Sequence, residues 1–447
     1  MLKISDDLSS LMKAGLSRSV TSLLIKVATA GLTYLALIVL SQTLAPLEYG
    51  HYAIGLSAAT LLAVLAGLGQ QSAILRLWPE LSQTGAGGSA HAVLRAGATL
   101  SLIGALVLGA LLASGALVFS GASGSGITGV GYLLAAAVLV LPLTLSDYFS
   151  SALRAQDSVW VALAPRDLAW RAALPAVFLA LFMIGAPVGG TAALLICAAL
   201  LVICLAVQVA WAKRRGYALA FARRSALKPY IETHGLRSRW FLLAAAVDAI
   251  SLNADTLLVG WLADEASAAL YFNAFRTAGL MTLFSYSATL VVAPMLSRHY
   301  HARDLRKTQA TAVLSAALGF GFSLVCLMTF VLFGGPILSL FGPEYVDGLP
   351  ILIILSIGFL VDASTGSVRT TMLVAGREQL YVGIMTAAVL GCVLLQVLLI
   401  PSLGVWGAAI ASSAARIASQ IVLGIACARW TGVDTTIFGI FKLRSMM

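Results

Sequence analysis

Charged and hydroxyl-bearing side chains recur inside long apolar segments of this sequence. In the first such segment, Lys26 stands with Ser22, Thr29 and Thr33 at spacings of four, three and four residues. This spacing places the four side chains on one face of a helix. Such a polar stripe inside an apolar segment is a candidate wall of a cavity. Two interpretations of Lys26 stay open: it lines a binding site with Thr29 and Thr33, or its flexible stem carries the charge to the nearer end of the segment.

Two aspartates and an arginine occupy apolar segments in the second half of the chain. Asp248 and Asp255 share one helical face, and Asn273, Arg276 and Thr277 cluster in the next segment. A carboxylate in such a segment is suited to binding a proton or Na⁺, so Asp248 and Asp255 are predicted ion-coupling residues. Structural pairing with a nearby cation is an equally weighted alternative for both. Arg276 lies about two turns from a loop without cations, so the positive-inside rule does not explain it and a functional role is favoured, with Asn273 as a neighbour.

Three further sets of polar residues lie inside apolar segments. These are Asp167 with Arg171, Asp362 with Arg369, and Arg416 with Ser412 and Gln420. We expect Asp167 and Arg171 to neutralise each other across one helical turn. Arg369 and Arg416 are additional candidates for substrate binding, with a purely structural role as the alternative.

The cysteines, histidines and glycines of the sequence do not form the patterns typical of catalytic sites, metal sites or phosphate-binding loops. The five cysteines stand singly in apolar segments, and the five histidines fall in loops or at segment ends. Gly67 and Gly69 flank Leu68 inside a helical segment, where they favour a bend over phosphate binding. The sequence therefore predicts no catalytic residue, no metal site, no cofactor and no nucleic-acid partner.

The composition identifies the elements that position these residues as membrane helices. Of the 447 residues, 60% are hydrophobic and 10% charged, and the net charge is +10. The mean hydropathy is +0.97. A hydrocarbon core roughly 30 Å thick requires about 20 apolar residues per helix. Twelve helices are predicted, near residues 20–43, 50–75, 91–119, 128–150, 160–184, 189–212, 240–262, 269–296, 309–333, 349–374, 380–400 and 404–428.

The loops alternate between those with and those without basic residues. Lys and Arg are absent near residues 44–50, 120–127, 185–188, 263–268, 334–348 and 401–403. By the positive-inside rule these six loops face outward and both termini are cytoplasmic. The polar N-terminus lacks the apolar core and cleavage site of a signal peptide. A multi-pass protein of the bacterial inner membrane is expected.

The two halves of the chain resemble each other. LRAQDSVW at 153–160 and VAGREQLY at 374–381 separate corresponding helices about 220 residues apart. Six helices per half, in the same direction, indicate a parallel repeat. We therefore predict an all-α fold of two six-helix bundles around a central cavity. The expected division is 1–212 for the first bundle, 213–239 for a basic cytoplasmic linker and 240–447 for the second bundle.

Several segments carry a family resemblance along nearly the whole chain. They are LAPLEYGHYAI at 44–54, GLGQQSAILRLWPE at 67–80, NADTLLVGWLADEASAALYFNAFR at 253–276, VAPMLSRHYHARDLRK at 292–307, LFGPEYVDGLPIL at 340–352, LVAGREQLY at 373–381 and IPSLGVWGAAIA at 400–411. In these segments the chain resembles bacterial polysaccharide flippases of the multidrug, oligosaccharidyl-lipid and polysaccharide exporter superfamily.

The resemblance implies a V-shaped pair of bundles around a cationic cavity. It also implies translocation of an undecaprenyl-pyrophosphate-linked oligosaccharide from the cytoplasmic to the periplasmic leaflet, for lipopolysaccharide or exopolysaccharide synthesis. Asp255 falls on an acidic position that such flippases often show. The implied partners are the lipid-linked oligosaccharide, membrane lipid, H⁺ or Na⁺, and a polysaccharide polymerase or glycosyltransferases.

Two alternative functions follow from the same sequence. A multidrug antiporter of the same superfamily would favour acidic cavity residues, whereas cations and acids are mixed here. A membrane glycan polymerase or ligase would carry a large basic external loop, whereas the outward loops are short and without Lys or Arg.

Overall fold

The computed structural model describes residues 25, 27–83, 87–123 and 129–445, without the side chains of 87, 122, 123, 284–291 and 445. Every regular element in this part of the chain is helical. The N-terminal helices are α1 (Val27–Thr43), α2 (Pro46–Ala66 and Gln70–Gln83), α3 (Gly87–Ser123), α4 (Gly131–Ala155), α5 (Val159–Leu163, Ala164–Trp170 and Arg171–Met183) and α6 (Gly190–Arg214). The C-terminal helices are α7 (Leu227–Leu262), α8 (Glu265–Ala278, Gly279–Met281 and Thr282–His301), α9 (Leu305–Ser339), α10 (Leu349–Ser364 and Val368–Val374), α11 (Glu378–Leu403), α12 (Val405–Thr431) and α13 (Gly439–Ser445).

Most of these helices are long and apolar enough to cross a membrane. Among the described residues nine meet this criterion, and Val27–Thr43 is a shorter apolar helix. The remaining two predicted spans are α5 and α8, which short π-helical and 3-10 segments interrupt. The prediction of an all-α multi-pass membrane protein with about twelve spans is confirmed.

Several helices extend beyond their predicted ends. The clearest case is α7, which was expected to begin near residue 240 and begins at Leu227. Its first turns carry Lys228, Glu232 and Arg237, which lie among exposed residues. Hydropathy marks only the part of a helix that lipid can surround, so it misses polar turns outside the hydrocarbon layer.

The chain forms two compact units, residues 1–253 and 254–447, and the division falls within α7. Unit 1 contains α1 to α6 and most of α7. Unit 2 contains the end of α7 and α8 to α13. The predicted linker at 213–239 is in part helical, since α7 already begins at Leu227.

In unit 1, the start of α2 is fixed to the start of α6. Pro46 occupies the first turn of α2, where its missing N–H leaves no hydrogen bond unmade. The Glu48 carboxylate accepts a hydrogen bond from the Gly190 N–H at 2.5 Å. A Cβ atom on Gly190 would lie 2.3 Å from the Glu48 carbonyl oxygen, so only glycine fits. The LAPLEYG segment is therefore a packing motif between two helices.

The Gly-Leu-Gly segment breaks α2, as the sequence indicated. Leu68 and Gly69 have φ values of 48° and 74°, which end the first piece of the helix. A Cβ atom on Gly69 would lie 2.5 Å from the Ser238 carbonyl oxygen of α7. The break thus allows the α2 backbone to approach α7 closely.

The same turn ends α4 in unit 1 and α10 in unit 2. Asp157 and Gly376 both have positive φ, at 62° and 69°. The N–H of the following residue donates to a carbonyl five residues earlier in each case, from Ser158 to Leu153 at 2.9 Å and from Arg377 to Met372 at 2.8 Å. This is the Schellman arrangement of a helix end. The two segments that suggested an internal repeat therefore fold in the same way.

Candidate functional site

Helix α5 contains a π-helical segment, Ala164–Trp170, that disturbs the regular backbone hydrogen bonds. Pro165 lacks an N–H and so cannot donate to a carbonyl of the preceding turn. Gln208 Nε2 of α6 donates to the carbonyl oxygens of Val161 at 3.2 Å and Ala162 at 2.8 Å. Ser150 Oγ of α4 also donates to Ala162, at 2.8 Å. Side chains from two neighbouring helices thus compensate the distortion.

The π segment lies against the threonines of α1. The buried Thr29 hydroxyl lies 3.2 Å from the Asp167 carbonyl oxygen and 2.6 Å from that of Ile25. The Arg171 guanidinium donates to Thr33 Oγ1 at 2.5 Å, and its carbon lies 5.7 Å from the centre of the Trp170 ring. The predicted hydroxyl face of α1 therefore meets a cation from α5.

An ion pair joins α4 to the same segment of α5. Arg166 NH1 contacts the Asp147 carboxylate, and the two side chains are 22% and 26% exposed. We define the π-segment patch as Thr29, Thr33, Asp147, Arg166 and Arg171. It comprises two contacts made at or directly after the same segment of α5 in unit 1, Arg166 with Asp147 of α4 and Arg171 with Thr33 of α1.

In unit 2, Asp255 lies at the centre of a buried hydrogen-bond network. Its carboxylate accepts hydrogen bonds from Tyr271 Oη and Ser412 Oγ, both at 2.6 Å, and from Gln396 Nε2 at 2.8 Å. Gln396 Nε2 also lies 2.8 Å from Ser412 Oγ. We define these four residues as the Asp255 network. Asp255 is 6% exposed. The three donors, from α8, α11 and α12, are neutral groups, so they hold the carboxylate by hydrogen bonds and not by an opposite charge.

A second acidic group in unit 2 has a cation beside it. Asp362 of α10 accepts from Gln420 Nε2 at 2.5 Å, and its other oxygen lies 3.8 Å from Arg416 NH1. Arg416 also lies over the Phe359 ring, 4.1 Å from its centre. The polar face of α12 therefore contacts both acids, with Ser412 at Asp255 and with Arg416 and Gln420 at Asp362.

The other predicted residues of unit 2 occupy different environments. Arg276 is half-buried over the Phe272 ring, 4.9 Å from its centre, and about three turns into α8 because the helix begins at Glu265. Asn273 is fully buried. Arg369 is exposed and lies 5.6 Å from the centre of the Tyr381 ring.

Two predicted residues remain to be placed. Lys26 lies outside the described residues. Asp248 is half-buried on α7, two turns before Asp255 on the same helix. The neutralisation of Asp167 by Arg171 stays a prediction, and in the structure Arg171 donates a hydrogen bond to Thr33 Oγ1.

Sequence reasoning missed four residues of these two clusters: Asp147, Arg166, Tyr271 and Gln396. Asp147 and Arg166 carried a usable signal, because both are ionisable residues within apolar helices. Tyr271 and Gln396 carried none, since a neutral polar residue in a membrane helix is common and its partner is distant in sequence. Among the described residues, no group of three or more His, Cys, Asp or Glu is arranged to hold a metal ion.

Solved transporter structures share this fold at low sequence identity. "Lipid II flippase MurJ, inward closed conformation" matches with a TM-score of 0.71 and 18% identity, covering 90% of this chain and 87% of that one. An inward-facing multidrug resistance MATE family transporter of the MOP superfamily matches with a TM-score of 0.68 and 16% identity, covering 90% and 94%. A MOP superfamily transporter from Pyrococcus furiosus matches with a TM-score of 0.58 and 14% identity, covering 91% and 95%. No curated protein sequence matches significantly.

The helices and these likenesses define a multi-pass membrane protein with the fold of MOP superfamily transporters. Residues 17–300 match the family described as "Polysaccharide biosynthesis protein". The chain belongs to this family, which confirms the resemblance found in its sequence.

Proposed function

We propose that the protein is a flippase that moves an undecaprenyl-pyrophosphate-linked oligosaccharide from the cytoplasmic to the periplasmic leaflet of the bacterial inner membrane. The observation that carries this proposal is the family match over residues 17–300, on a chain that folds like a lipid II flippase. The product would supply lipopolysaccharide or exopolysaccharide synthesis, together with a polymerase or glycosyltransferases. Both termini are assigned to the cytoplasm.

Cations of the apolar helices are proposed to hold the pyrophosphate. A doubly charged head group leaves its hydration shell on entering a low-dielectric region, and fixed cations compensate this loss. Lys26 and Arg276 remain the primary candidates, with Thr29, Thr33 and Asn273 as neighbours. Arg369 and Arg416 are secondary candidates. For Arg416, the position beside Asp362 supports a structural role as well.

Translocation is proposed to proceed by alternating access and to be coupled to an H⁺ or Na⁺ gradient through Asp255. The Asp255 network supports this proposal, because a buried carboxylate with only neutral donors gains from binding a proton or monovalent cation. The hydroxyl oxygens of Tyr271 and Ser412 lie beside the carboxylate and are suitable ligands for Na⁺. Asp248 on the same helix is a second candidate.

The test is the distribution of the lipid-linked glycan in a strain that lacks the protein. We expect this glycan to accumulate in the cytoplasmic leaflet and surface polysaccharide to disappear, with both effects reversed by the unmodified gene. Normal polysaccharide export, together with loss of efflux of a cationic dye, would instead establish the multidrug antiporter. Accumulation of short glycans already in the periplasmic leaflet would establish a polymerase or ligase.

A further inference from the structure

The ion pair between Asp147 and Arg166 has features of a ligand-binding site. Charges inside apolar helices are costly and are usually retained for function or for pairing with each other. The pair is not fully enclosed by protein, since Arg166 and Asp147 are 22% and 26% exposed. Arg166 Nε is buried and has no hydrogen-bond acceptor among the described residues. The contact with Asp147 through NH1 therefore satisfies only part of the guanidinium.

The backbone that carries Arg166 is also unusual. Arg166 lies within the π-helical segment of α5, and such segments occur frequently at functional sites. Arg171 follows directly after the segment and lies at Thr33. Residues five apart are neighbours along a π-helix, because its hydrogen bonds join residues i and i+5. The π segment and the residue directly after it thus carry two guanidinium groups on one helix.

We propose that Arg166 and Arg171 form a diphosphate-binding site in unit 1, and that Asp147 is an internal counter-ion which the diphosphate displaces from Arg166. This inference rests on the proposed flippase function. Two separate guanidinium groups match the two phosphate groups of a lipid pyrophosphate, and each planar fork binds phosphate oxygens through two parallel N–H donors. Before the substrate binds, the Asp147 carboxylate balances the positive charge of Arg166 within the apolar helices.

Displacement of Asp147 also changes the contact between two helices. The ion pair is a direct link between α4 and α5, and diphosphate binding removes it. Binding of the head group is in this way coupled to the interaction of α4 with the π segment. A carrier with a single phosphate competes less effectively with the Asp147 carboxylate and engages one arginine instead of two.

The experiment measures binding of undecaprenyl pyrophosphate and undecaprenyl monophosphate to the purified full-length protein in lipid nanodiscs. We expect the unmodified protein to prefer the pyrophosphate. Arg166→Gln should weaken its binding about tenfold or more, the loss expected for a charge-assisted hydrogen bond. Asp147→Asn should strengthen it, because the competing carboxylate is gone. Inorganic pyrophosphate added as a competitor separates head-group recognition from tail binding.

A charge exchange distinguishes substrate binding from a structural ion pair. The double variant Asp147→Arg, Arg166→Asp keeps opposite charges on α4 and α5 and moves the cation off the π segment. We expect it to remain folded in thermal unfolding and to bind the pyrophosphate as weakly as Arg166→Gln. The exposed Arg215, beside Trp211 on the same unit, provides the matched control, and Arg215→Gln should bind normally.

The outcomes separate this inference from the proposed function. Normal pyrophosphate binding by Arg166→Gln, or by the charge-exchanged variant, would show that the pair is structural and would leave the flippase assignment intact. Unchanged affinity in Asp147→Asn would remove the counter-ion role. If the unmodified protein binds neither lipid, the substrate class itself is wrong.

Discussion

At the scale of single residues, the two acids of unit 2 differ in the charge of their surroundings. Asp255 is held by a phenol, a hydroxyl and an amide, whereas Asp362 has Arg416 at 3.8 Å. The Arg416 guanidinium already gives Asp362 a positive partner, so this carboxylate does not need a bound ion to balance its charge. Neutral donors orient the carboxylate and leave its charge to be balanced by a bound ion. This contrast is why Asp255, and not Asp362, is the proposed coupling residue.

The first prediction concerns Asp255. Asp255→Asn keeps the shape of the side chain, replaces one of the two accepting oxygens by an NH2 group and removes the negative charge. The part of glycan export that depends on the ion gradient should therefore fall about tenfold, or roughly 1.4 kcal/mol. Export is measured in inverted membrane vesicles with and without an imposed H⁺ or Na⁺ gradient. Asp264→Asn is the matched control, because Asp264 is an exposed helix cap and Asn caps helices equally well.

Full gradient dependence in Asp255→Asn would contradict the coupling role. The Asp248→Asn variant then decides whether the second aspartate of α7 acts instead. If both variants keep full gradient dependence, neither residue belongs to the coupling mechanism.

The second prediction concerns the cations proposed to bind the pyrophosphate. Lys26→Gln and Arg276→Gln should each lower glycan export at unchanged protein level, because each removes a charge that compensates the dehydrated head group. Lys26→Arg should retain part of the activity, since the charge remains. Export at the unmodified rate in the Lys26→Gln, Arg276→Gln double variant would place the pyrophosphate elsewhere, either at Arg166 and Arg171 or at the secondary candidates Arg416 and Arg369.

At the scale of helices, breaks in regular geometry position the polar residues. The π segment of α5 turns Arg166 toward Asp147 and brings Asp167 beside Thr29. Gln208 supports this distortion by donating to the Val161 and Ala162 carbonyl oxygens, just before the π segment. Its role is thus to support the backbone and not to contact a substrate.

The third prediction tests the break in α2. Gly69→Ala should destabilise the protein, because a Cβ atom would meet the Ser238 carbonyl oxygen at 2.5 Å and a φ of 74° is unfavourable for alanine. The left-handed conformation alone costs roughly 1–2 kcal/mol. Thermal unfolding in detergent measures the effect. Gly115→Ala in α3 is the control, since a Cβ atom there has open space, and it should unfold at or above the unmodified temperature. Equal unfolding temperatures for both variants would show that the α2–α7 approach is not close in solution.

Much of the architecture was predictable from the sequence, for identifiable reasons. Lipid requires a long apolar stretch for every span, so hydropathy located the helices, and Gly67 and Gly69 marked the break in α2. The clusters were less predictable. Periodicity placed Thr29 and Thr33 on one face of α1, and Ser412, Arg416 and Gln420 on one face of α12. It gave no information on which helix each face contacts, so the partners Arg171, Tyr271 and Gln396 emerged only from the tertiary structure.

At the scale of the whole chain, the two segments that suggested a repeat share a backbone turn. The turns at Asp157 and Gly376 have the same left-handed residue and the same hydrogen bond, although only one of them contains glycine. The polar clusters of the two units differ. Unit 1 has Arg166 in the π segment and Arg171 directly after it, and unit 2 has a carboxylate among neutral donors. Similar helix ends therefore accompany different polar clusters in the two units.

The last prediction tests the orientation of the protein in the membrane, on which the proposed direction of transport depends. Single cysteines at Ser123 and Glu344 should react with a membrane-impermeant thiol reagent added outside the cell, because the loops near them carry no Lys or Arg. A cysteine at Ser225, which lies among the basic residues between α6 and α7, should react only after the membrane is opened. The five native cysteines are first replaced so that labelling reports the introduced residue alone. Labelling of Ser225→Cys from outside, with protection of the other two, would reverse the topology. The pyrophosphate would then approach from the wrong leaflet, and the proposed direction of transport would fail with it.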